Sequence, residues 1–325
     1  MKFGHRMISD SLRTCKHHAY CIWLFIRSDL NTMLLPKAVF GLLTALSCTG
    51  IRGDHQRTGE LTGGQILSRA PLVLLWVWAH LLAFNIGNQR RPESIAEDTI
   101  NKPWRTMPSG RWTHRQAFHA WILSYLGAFL LSCKIQGLVP SLALLVLGHW
   151  YNDRGGGDVD AFVRNLINAL GYVSFATGAL EVALNRPLAF QLGALKETQY
   201  NKLNSWMLLL FCLVFTTVHT QDMHDQEGDA ARGRSSVPLQ IGDAPARWLV
   251  MVFVLFWGVI CPYFWKLGWI GYVTTTPLAF TVAYRTMVLR TTEHDSWTFT
   301  LWNIWIMSLY TLPLQARGTW SLMDT

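Results

Sequence analysis

The sequence predicts an all-α, polytopic membrane protein of about nine transmembrane helices. Three observations predict it. Apolar windows of about 20 residues, each long enough to cross a bilayer as a helix, recur along the chain. Half of its 325 residues are hydrophobic and only 15% are charged, whereas soluble domains run near a quarter charged. Its 16 Trp suit a chain with many membrane–water boundaries, where indole rings concentrate. A large soluble helical core would need a charged face on most helices, and these segments lack one.

In chain order, residues 1–29 read as a cytosolic tail or surface helix carrying Lys2, Arg6, Arg13, Lys16 and several His. The apolar run from Tyr20 to Ile26 is short and is followed directly by Arg27 and Asp29, so no cleavable signal peptide is expected there. Spans are expected at 30–50 and 64–88, the second running into a polar, acid-rich segment. Further spans follow at 115–133, 136–151 (the shortest), 162–183 and 203–221, the last running into a second acid-rich segment. Spans at 247–266, 268–288 and 297–316 complete one domain over 30–316, before a short tail over 317–325. Cys15, Cys21, Cys48, Cys133, Cys212 and Cys261 show no metal-type spacing and sit mostly in or near apolar spans, so they read as small core residues without a disulfide framework.

The net charge is +8. With nine spans, the N-terminus shares a side with the loops after the second, fourth, sixth and eighth, and this set carries about twice the Lys and Arg of the opposite set. The positive-inside rule then places both acid-rich segments in the cytosol, in an integral, multi-pass protein expected in the endoplasmic reticulum. The basic residues lie between spans and form no nucleic-acid module. They are better placed to set topology and to meet an anionic ligand.

The first acid-rich segment runs Asn88-Gln89-Arg90-Arg91-Pro92-Glu93-Ser94-Ile95-Ala96-Glu97-Asp98, then Asn101-Lys102-Pro103-Trp104-Arg105. If the preceding helix continues, Gln89, Glu93 and Glu97 share one face, with Asn88 and Asp98 beside them. Pro92 would kink that face inward. Mg2+ is commonly held by one or two carboxylates plus substrate phosphates, so Gln89, Glu93, Glu97 and Asp98 are candidate metal ligands. In the Pro- and Gly-punctuated loop beyond, Lys102, Arg105 and Arg111 can clamp diphosphate oxygens, with Asn88 beside them. Taken alone, this segment is better explained by an ordinary charged juxtamembrane loop. The second segment argues otherwise.

That segment runs Gln221-Asp222-Met223-His224-Asp225-Gln226-Glu227-Gly228-Asp229. Asp222, Asp225 and Asp229 fall at i, i+3 and i+7, one helical stripe. Three aspartates there repel one another unless a cation neutralises them, and a stripe ending a membrane span is a functional candidate by default. A solvated helix end is the plainer alternative. Gly228 allows a bend or a close approach. Arg232 and Arg234 follow as candidate diphosphate contacts, while His224 lies off the stripe and is not expected as a ligand. In both halves an apolar helix pair brackets a carboxylate-rich loop, as in two pseudo-equivalent bundles around one cavity, although any multi-span chain alternates to some degree.

These residues resemble the UbiA superfamily of intramembrane prenyltransferases. Its members carry N-D-x-x-D-x-x-x-D ahead of R-P-x-P-S-G, and a second D-x-x-D-x-x-x-D. The second motif matches here as Asp222, Asp225, Gly228 and Asp229, with Arg234, Pro238 and Gly242 downstream. Arg105-Thr106-Met107-Pro108-Ser109-Gly110 matches except at Thr106. The first motif diverges: Asn88-Gln89 stands where Asn-Asp is usual, and Glu93, Glu97 and Asp98 replace the spaced aspartates. Those departures, with Trp150-Tyr151-Asn152-Asp153 and Arg164-Asn165, resemble a fungal branch of membrane-bound sesquiterpene cyclases.

The resemblance implies a bundle around a central cavity with a lateral opening to the membrane, Mg2+ as cofactor, and a prenyl diphosphate, most simply farnesyl diphosphate, as substrate. It makes Glu97, Asp98, Asp225 and Asp229 the expected catalytic carboxylates. It favours a terpene cyclase in terpenoid secondary metabolism, with downstream tailoring enzymes as partners beside the lipid bilayer. The alternatives are a prenyltransferase using an aromatic or other small acceptor, or a non-catalytic membrane cation-binding protein or transporter. Carbocations are stabilised by aromatic faces. Tyr151, Tyr172, Phe175, Tyr200 and Trp206 are candidate wall residues, although core or interface packing is the plainer explanation of each.

Overall fold

The computed structural model describes residues 2–48, 61–188 and 198–316, and every regular element among them is helical. Helix α1 (Lys2–Ile26) passes through a 3-10 turn (Arg27–Asp29) and a π turn (Leu30–Leu34) into α2 (Leu35–Cys48). After α3 (Gly63–Ser68) come α4 (Ala70–Gln89) and α5 (Pro92–Asn101), then α6 (His114–Ile135), α7 (Leu138–Asp153), α8 (Ala161–Leu184) and α9 (Thr198–Thr217). A 3-10 turn (Val218–Gln221) leads to the short α10 (Gln226–Arg232) and α11 (Val237–Ile241). The chain closes with α12 (Asp243–Phe264), α13 (Trp269–Val288), α14 (Thr292–Leu309) and α15 (Leu312–Gln315).

Local chemistry sets several of these ends. Thr62 with Gln65, and Thr113 with Gln116, form capping boxes that start α3 and α6. The Asp160 carboxylate accepts the Val163 amide at 3.0 Å and starts α8. Pro92 has no N–H for the α4 ladder, so α4 stops and α5 begins. The first acid-rich segment is therefore two helices broken at the extended Arg91, not one continuous face.

Among the described residues six helical segments are long and apolar enough to cross a membrane: Leu12–Cys48, Ala70–Gln89, His114–Ile135, Ala161–Leu184, Lys202–Gln221 and Asp243–Phe264. A helix stands at each of the nine expected spans, but α7 has only 16 residues, α13 is rich in Thr, and α14 opens on Glu293 and Asp295. The first crossing begins earlier than expected. Residues of the predicted tail are helical, and Cys21, Phe25 and Ile26 are buried beside Leu82 and Ile86 of α4. The tail over 317–325 lies outside the described residues.

Burial separates the helices. The apolar window of α8 is 67% buried whereas that of α6 is 11% buried, so α8 is the central post and α6 faces outward. The main core joins α2, α4, α8, α9, α12 and α14 through fully buried Trp76, Trp206, Trp265, Trp302 and Trp305. Gly41 allows α2 to lie on α8, since a Cβ there would sit 2.7 Å from the Ala179 carbonyl carbon.

Candidate active site

One cavity of about 390 Å³ opens between the helices under the polar cap. Glu97, Lys102, Arg105, Arg164, Asp225 and Arg234 line its polar end. Leu81, Phe84, Leu144, Ile167, Tyr172 and Phe175 line its apolar depth. Both acid-rich segments reach the cap because α5 and α10 lie against each other there. Gly228 makes that approach possible: a Cβ at this position would collide with the Asn101 carboxamide.

The cap is a lattice of ion pairs. Arg105 Nη1 donates to both Asp98 oxygens at 2.8 and 3.0 Å, and Nη2 reaches Ser28 Oγ at 3.3 Å. Glu97 bridges two guanidinium groups, Arg232 Nη1 at 3.0 Å and Arg234 Nη1 at 3.2 Å. The same Arg234 nitrogen holds Asp229 Oδ1 at 2.6 Å. Asp158, in the loop before α8, gathers Arg232 and Arg234 from the other side at 2.9 and 3.1 Å. Arg164 Nη2 pairs with Asp222 Oδ1 at 2.6 Å, and its Nη1 donates to the Tyr151 hydroxyl. Lys102 Nζ lies 3.3 Å from Asp225 Oδ2, and Asn101 donates to Asp225 Oδ1 at 3.3 Å.

The three motif aspartates thus have three different counter-ions. Asp222 closes the 3-10 turn and Asp225 precedes α10, so their register comes from a turn and not from one helix. Burial raises the Asp225 carboxyl, but Lys102 and His224 outweigh it and hold the group below the usual range. Burial pushes Asp229 up to about 6, against Arg164 and Arg234. Burial opposes ionisation of Asp158 as well, yet Arg232 and Arg234 depress it.

Other expected site residues distribute unevenly. Asn88 lines the cavity and donates to Asn152 Oδ1 at 2.8 Å. Gln89 turns away and donates to the Phe25 carbonyl at 2.9 Å. Glu93 is exposed, 3.9 Å from Arg91 Nε. Asp98 stands behind Arg105, and Arg232 behind Glu97. Arg111 donates to the Trp104 carbonyl at 3.3 Å and covers the Tyr20 ring, outside the cavity lining. Tyr151, Tyr172 and Phe175 are in the cavity wall. Trp206 is core, edge-on to Trp265 at 5.5 Å, and the Tyr200 side chain lies outside the described residues.

Sequence reasoning missed Asp158, whose pairing exists only once its loop folds over α10. It also left Arg164 without a role, although an arginine just inside an apolar span signals a functional group. His224, set aside as a ligand, lines the cavity with Nε2 3.7 Å from Asp225 Oδ1.

A divalent cation fits this cap in one manner. Among the described residues no three His, Cys, Asp or Glu side chains converge as a metal-binding group. Asp229 Oδ2 is nevertheless buried without a hydrogen-bond partner among them, and Glu97 and Asp225 present carboxylates to the cavity. That donor set suits Mg2+, which takes one or two carboxylates and completes its shell with phosphate and water.

The family profile of the UbiA prenyltransferases matches residues 60–309. The chain belongs to the UbiA prenyltransferase family. This UbiA-family chain is 29% identical over 91% of its length to the fumagillin beta-trans-bergamotene synthase of Aspergillus fumigatus, covering 92% of that protein. It is 28% identical to the somaliensene A/B synthase of Streptomyces somaliensis, with 94% of each chain covered. Among solved structures, a UbiA homolog from Archaeoglobus fulgidus bound to GPP and Mg2+ aligns with a TM-score of 0.58 over 89% of this chain and 99% of that one. At 14% identity that likeness shows a shared fold. The protein is therefore an all-α integral membrane protein with the UbiA fold, and an enzyme of a family of terpene cyclases and prenyltransferases.

Proposed function

We propose that this UbiA-family enzyme is a Mg2+-dependent terpene cyclase that ionises farnesyl diphosphate and closes the farnesyl cation to a sesquiterpene. It works in the endoplasmic reticulum membrane with its cap toward the cytosol, supplying hydrocarbon to enzymes of terpenoid secondary metabolism. One observation carries this: a cap of Lys, Arg and carboxylate groups sits directly over an apolar, aromatic-walled cavity of about 390 Å³. That is the shape of a charged head on a hydrocarbon tail. Similarity to a bergamotene synthase along nearly the full length of both chains supports cyclisation, and the homolog bound to GPP and Mg2+ supports the head-group site.

In the proposed mechanism the tail enters the cavity and the diphosphate meets Lys102, Arg105 and Arg234. As the C1–O bond breaks, its electron pair leaves with the diphosphate, and these cations stabilise the developing charge. Mg2+ held by Glu97, Asp225 and Asp229 would supply Lewis-acid neutralisation of the same charge. Asp98 holds Arg105 in place, and Asp158 holds Arg232 and Arg234, so the donors are fixed before substrate arrives. The aromatic faces of Phe84, Tyr172 and Phe175 stabilise the allylic cation while its own π-bonds attack it. Proton loss then ends the reaction.

The test is incubation of membranes carrying the protein with farnesyl diphosphate and Mg2+, without acceptor, followed by hydrocarbon analysis. A cyclic sesquiterpene is expected. Product only after an aromatic acceptor is added would replace cyclisation with prenyl transfer. No product with any prenyl diphosphate, with or without acceptor, would overturn both.

A further inference from the structure

Beneath the cavity lies an ionisable group that the proposed chemistry does not use. Lys37, on α2, is completely buried, and its Nζ has no hydrogen-bond partner among the described residues. Its ammonium group lies over the face of the Tyr172 ring. The Tyr172 hydroxyl is 2.7 Å from the Tyr310 hydroxyl, and Phe40 sets its ring edge-on to Tyr310 at 5.0 Å. An ionisable side chain inside a membrane bundle is costly, and a Met of similar length would fill the space without that cost.

Its place along the cavity gives it a role. Ser28 and Asp29 stand at the polar end, where Ser28 touches Arg105. Met33 lines the cavity further down, and Lys37 follows one helical turn deeper, outside the lining. On α8, Arg164 is at the polar end and Tyr172 is eight residues on, about 12 Å of helix rise. Tyr310 lies beyond Trp302 and Asn303 on the same descending path of α14. Three segments of the chain therefore bring Lys37, Tyr172 and Tyr310 together near the deep end of the cavity, where Tyr172 and, three residues on along α8, Phe175 line it. The close seat of Gly41 on Ala179, one turn past Lys37, fixes α2 against α8 there.

We infer that Lys37, Tyr172 and Tyr310 form a polar floor that limits the length of prenyl tail the cavity accepts. This rests on the reading that the cavity holds a prenyl tail. A tail that ends above Tyr172 leaves the layer intact. A tail one isoprene unit longer must push the Tyr172 ring aside, separate the two phenols and strip Lys37 Nζ of its ring. Each displaced polar group is then unpaired in apolar surroundings, so the penalty exceeds that of a purely apolar floor. Selectivity arises from the cost imposed on the longer substrate.

The experiment measures the binding of geranyl, farnesyl and geranylgeranyl S-thiolodiphosphates, which resist ionisation, to the purified full chain in Mg2+. This readout does not depend on the fate of the cation. Wild type is expected to bind the farnesyl analogue more tightly than the geranylgeranyl analogue. Tyr172→Ala and Lys37→Ala are expected to move the ratio of the two Kd values toward geranylgeranyl by about tenfold. Tyr310→Phe removes one oxygen and is expected to move it the same way by roughly threefold. If wild type binds both analogues equally, or if Tyr310→Phe and whichever alanine variant accumulates keep the wild-type ratio, the floor is overturned while prenyl diphosphate binding stands. If wild type binds none of the three, the prenyl diphosphate reading falls and the floor with it.

Discussion

Asp225 and Asp229 sit four residues apart in the same motif, yet their surroundings shift them in opposite directions. Asp225 stays ionised beside Lys102, whereas burial pushes Asp229 up to about 6. Acidification through that value protonates Asp229 in the folded state before it would in the unfolded chain. The fold gains a proton-linked contribution as pH falls through 6 and loses it as pH rises. The proposed Mg2+ site behaves oppositely, because a protonated carboxyl is a poor ligand. The Mg2+ concentration needed for half-maximal diphosphate release should therefore rise by up to about tenfold per pH unit below 6 without loss of folded protein, which Mg2+ titrations at several pH values run beside circular dichroism would check. Asp225→Asn and Asp229→Asn should each lower that release by about a hundredfold or more, measured in initial rates at saturating Mg2+. Asp158 is not part of the cavity lining, but Asp158→Asn loosens Arg232 and the lining residue Arg234. Its expected effect is a rise of about tenfold in KM for the prenyl diphosphate, and an unchanged KM would remove Asp158 from the positioning of the cap. The spacing of Asp222, Asp225 and Asp229 was legible in the chain. Their three separate counter-ions were not, because Arg164, Lys102 and Arg234 come from different segments.

At the scale of elements, the cap depends on two short helices that would not persist alone. α5 and α10 have ten and seven residues, below the length at which isolated helices hold in water. Their mutual contact keeps them, and Gly228 sets its spacing. Gly228→Ala should push the Asn101 carboxamide aside and break its hydrogen bond to Asp225, at a cost of about 1 kcal/mol, read as weaker substrate binding with a small drop in Tm in detergent. A second clasp joins α12 to α14, where Arg247 Nη1 and Nη2 meet Asp295 at 2.8 and 2.7 Å and Nε meets Asp243 at 2.8 Å. Truncation to Met leaves Asp295 buried without its partner, and such breaks cost about 3–5 kcal/mol. Arg247→Met should therefore unfold at a clearly lower temperature, and a wild-type Tm would show that the clasp is dispensable. The helix starts at Thr62, Thr113 and Asp160 were written locally, as was the interruption at Pro92. The break at Pro92 separates Gln89, on α4, from Glu97, while Glu93 stays exposed in the first turn of α5 beside Arg91, and periodicity alone placed all three on one face.

At the scale of the whole molecule, orientation in the membrane follows from charge. If the cap faces the cytosol, as proposed, the exposed Glu93 marks that side. In a cysteine-free background, Glu93→Cys should react with a membrane-impermeant maleimide in sealed, cytosol-side-out microsomes, and protection until the membrane is opened would invert the topology. The sequence by itself determined the class of molecule: an all-α membrane protein with two acid-rich boundaries and the family to which it belongs. Those properties are sums or spacings along one segment, such as apolar length, charge bias and the repeat of Asp222, Asp225 and Asp229. Only the tertiary structure decided which residues of those segments meet. It drew part of the predicted N-terminal tail into the bundle, turned Gln89 toward Phe25, brought Asp158 over the cap, and set Lys37 under Tyr172. Each of these is a contact between segments distant in sequence, fixed by how α2, α4, α5, α8 and α10 pack, and packing of that kind leaves no period in the chain to read.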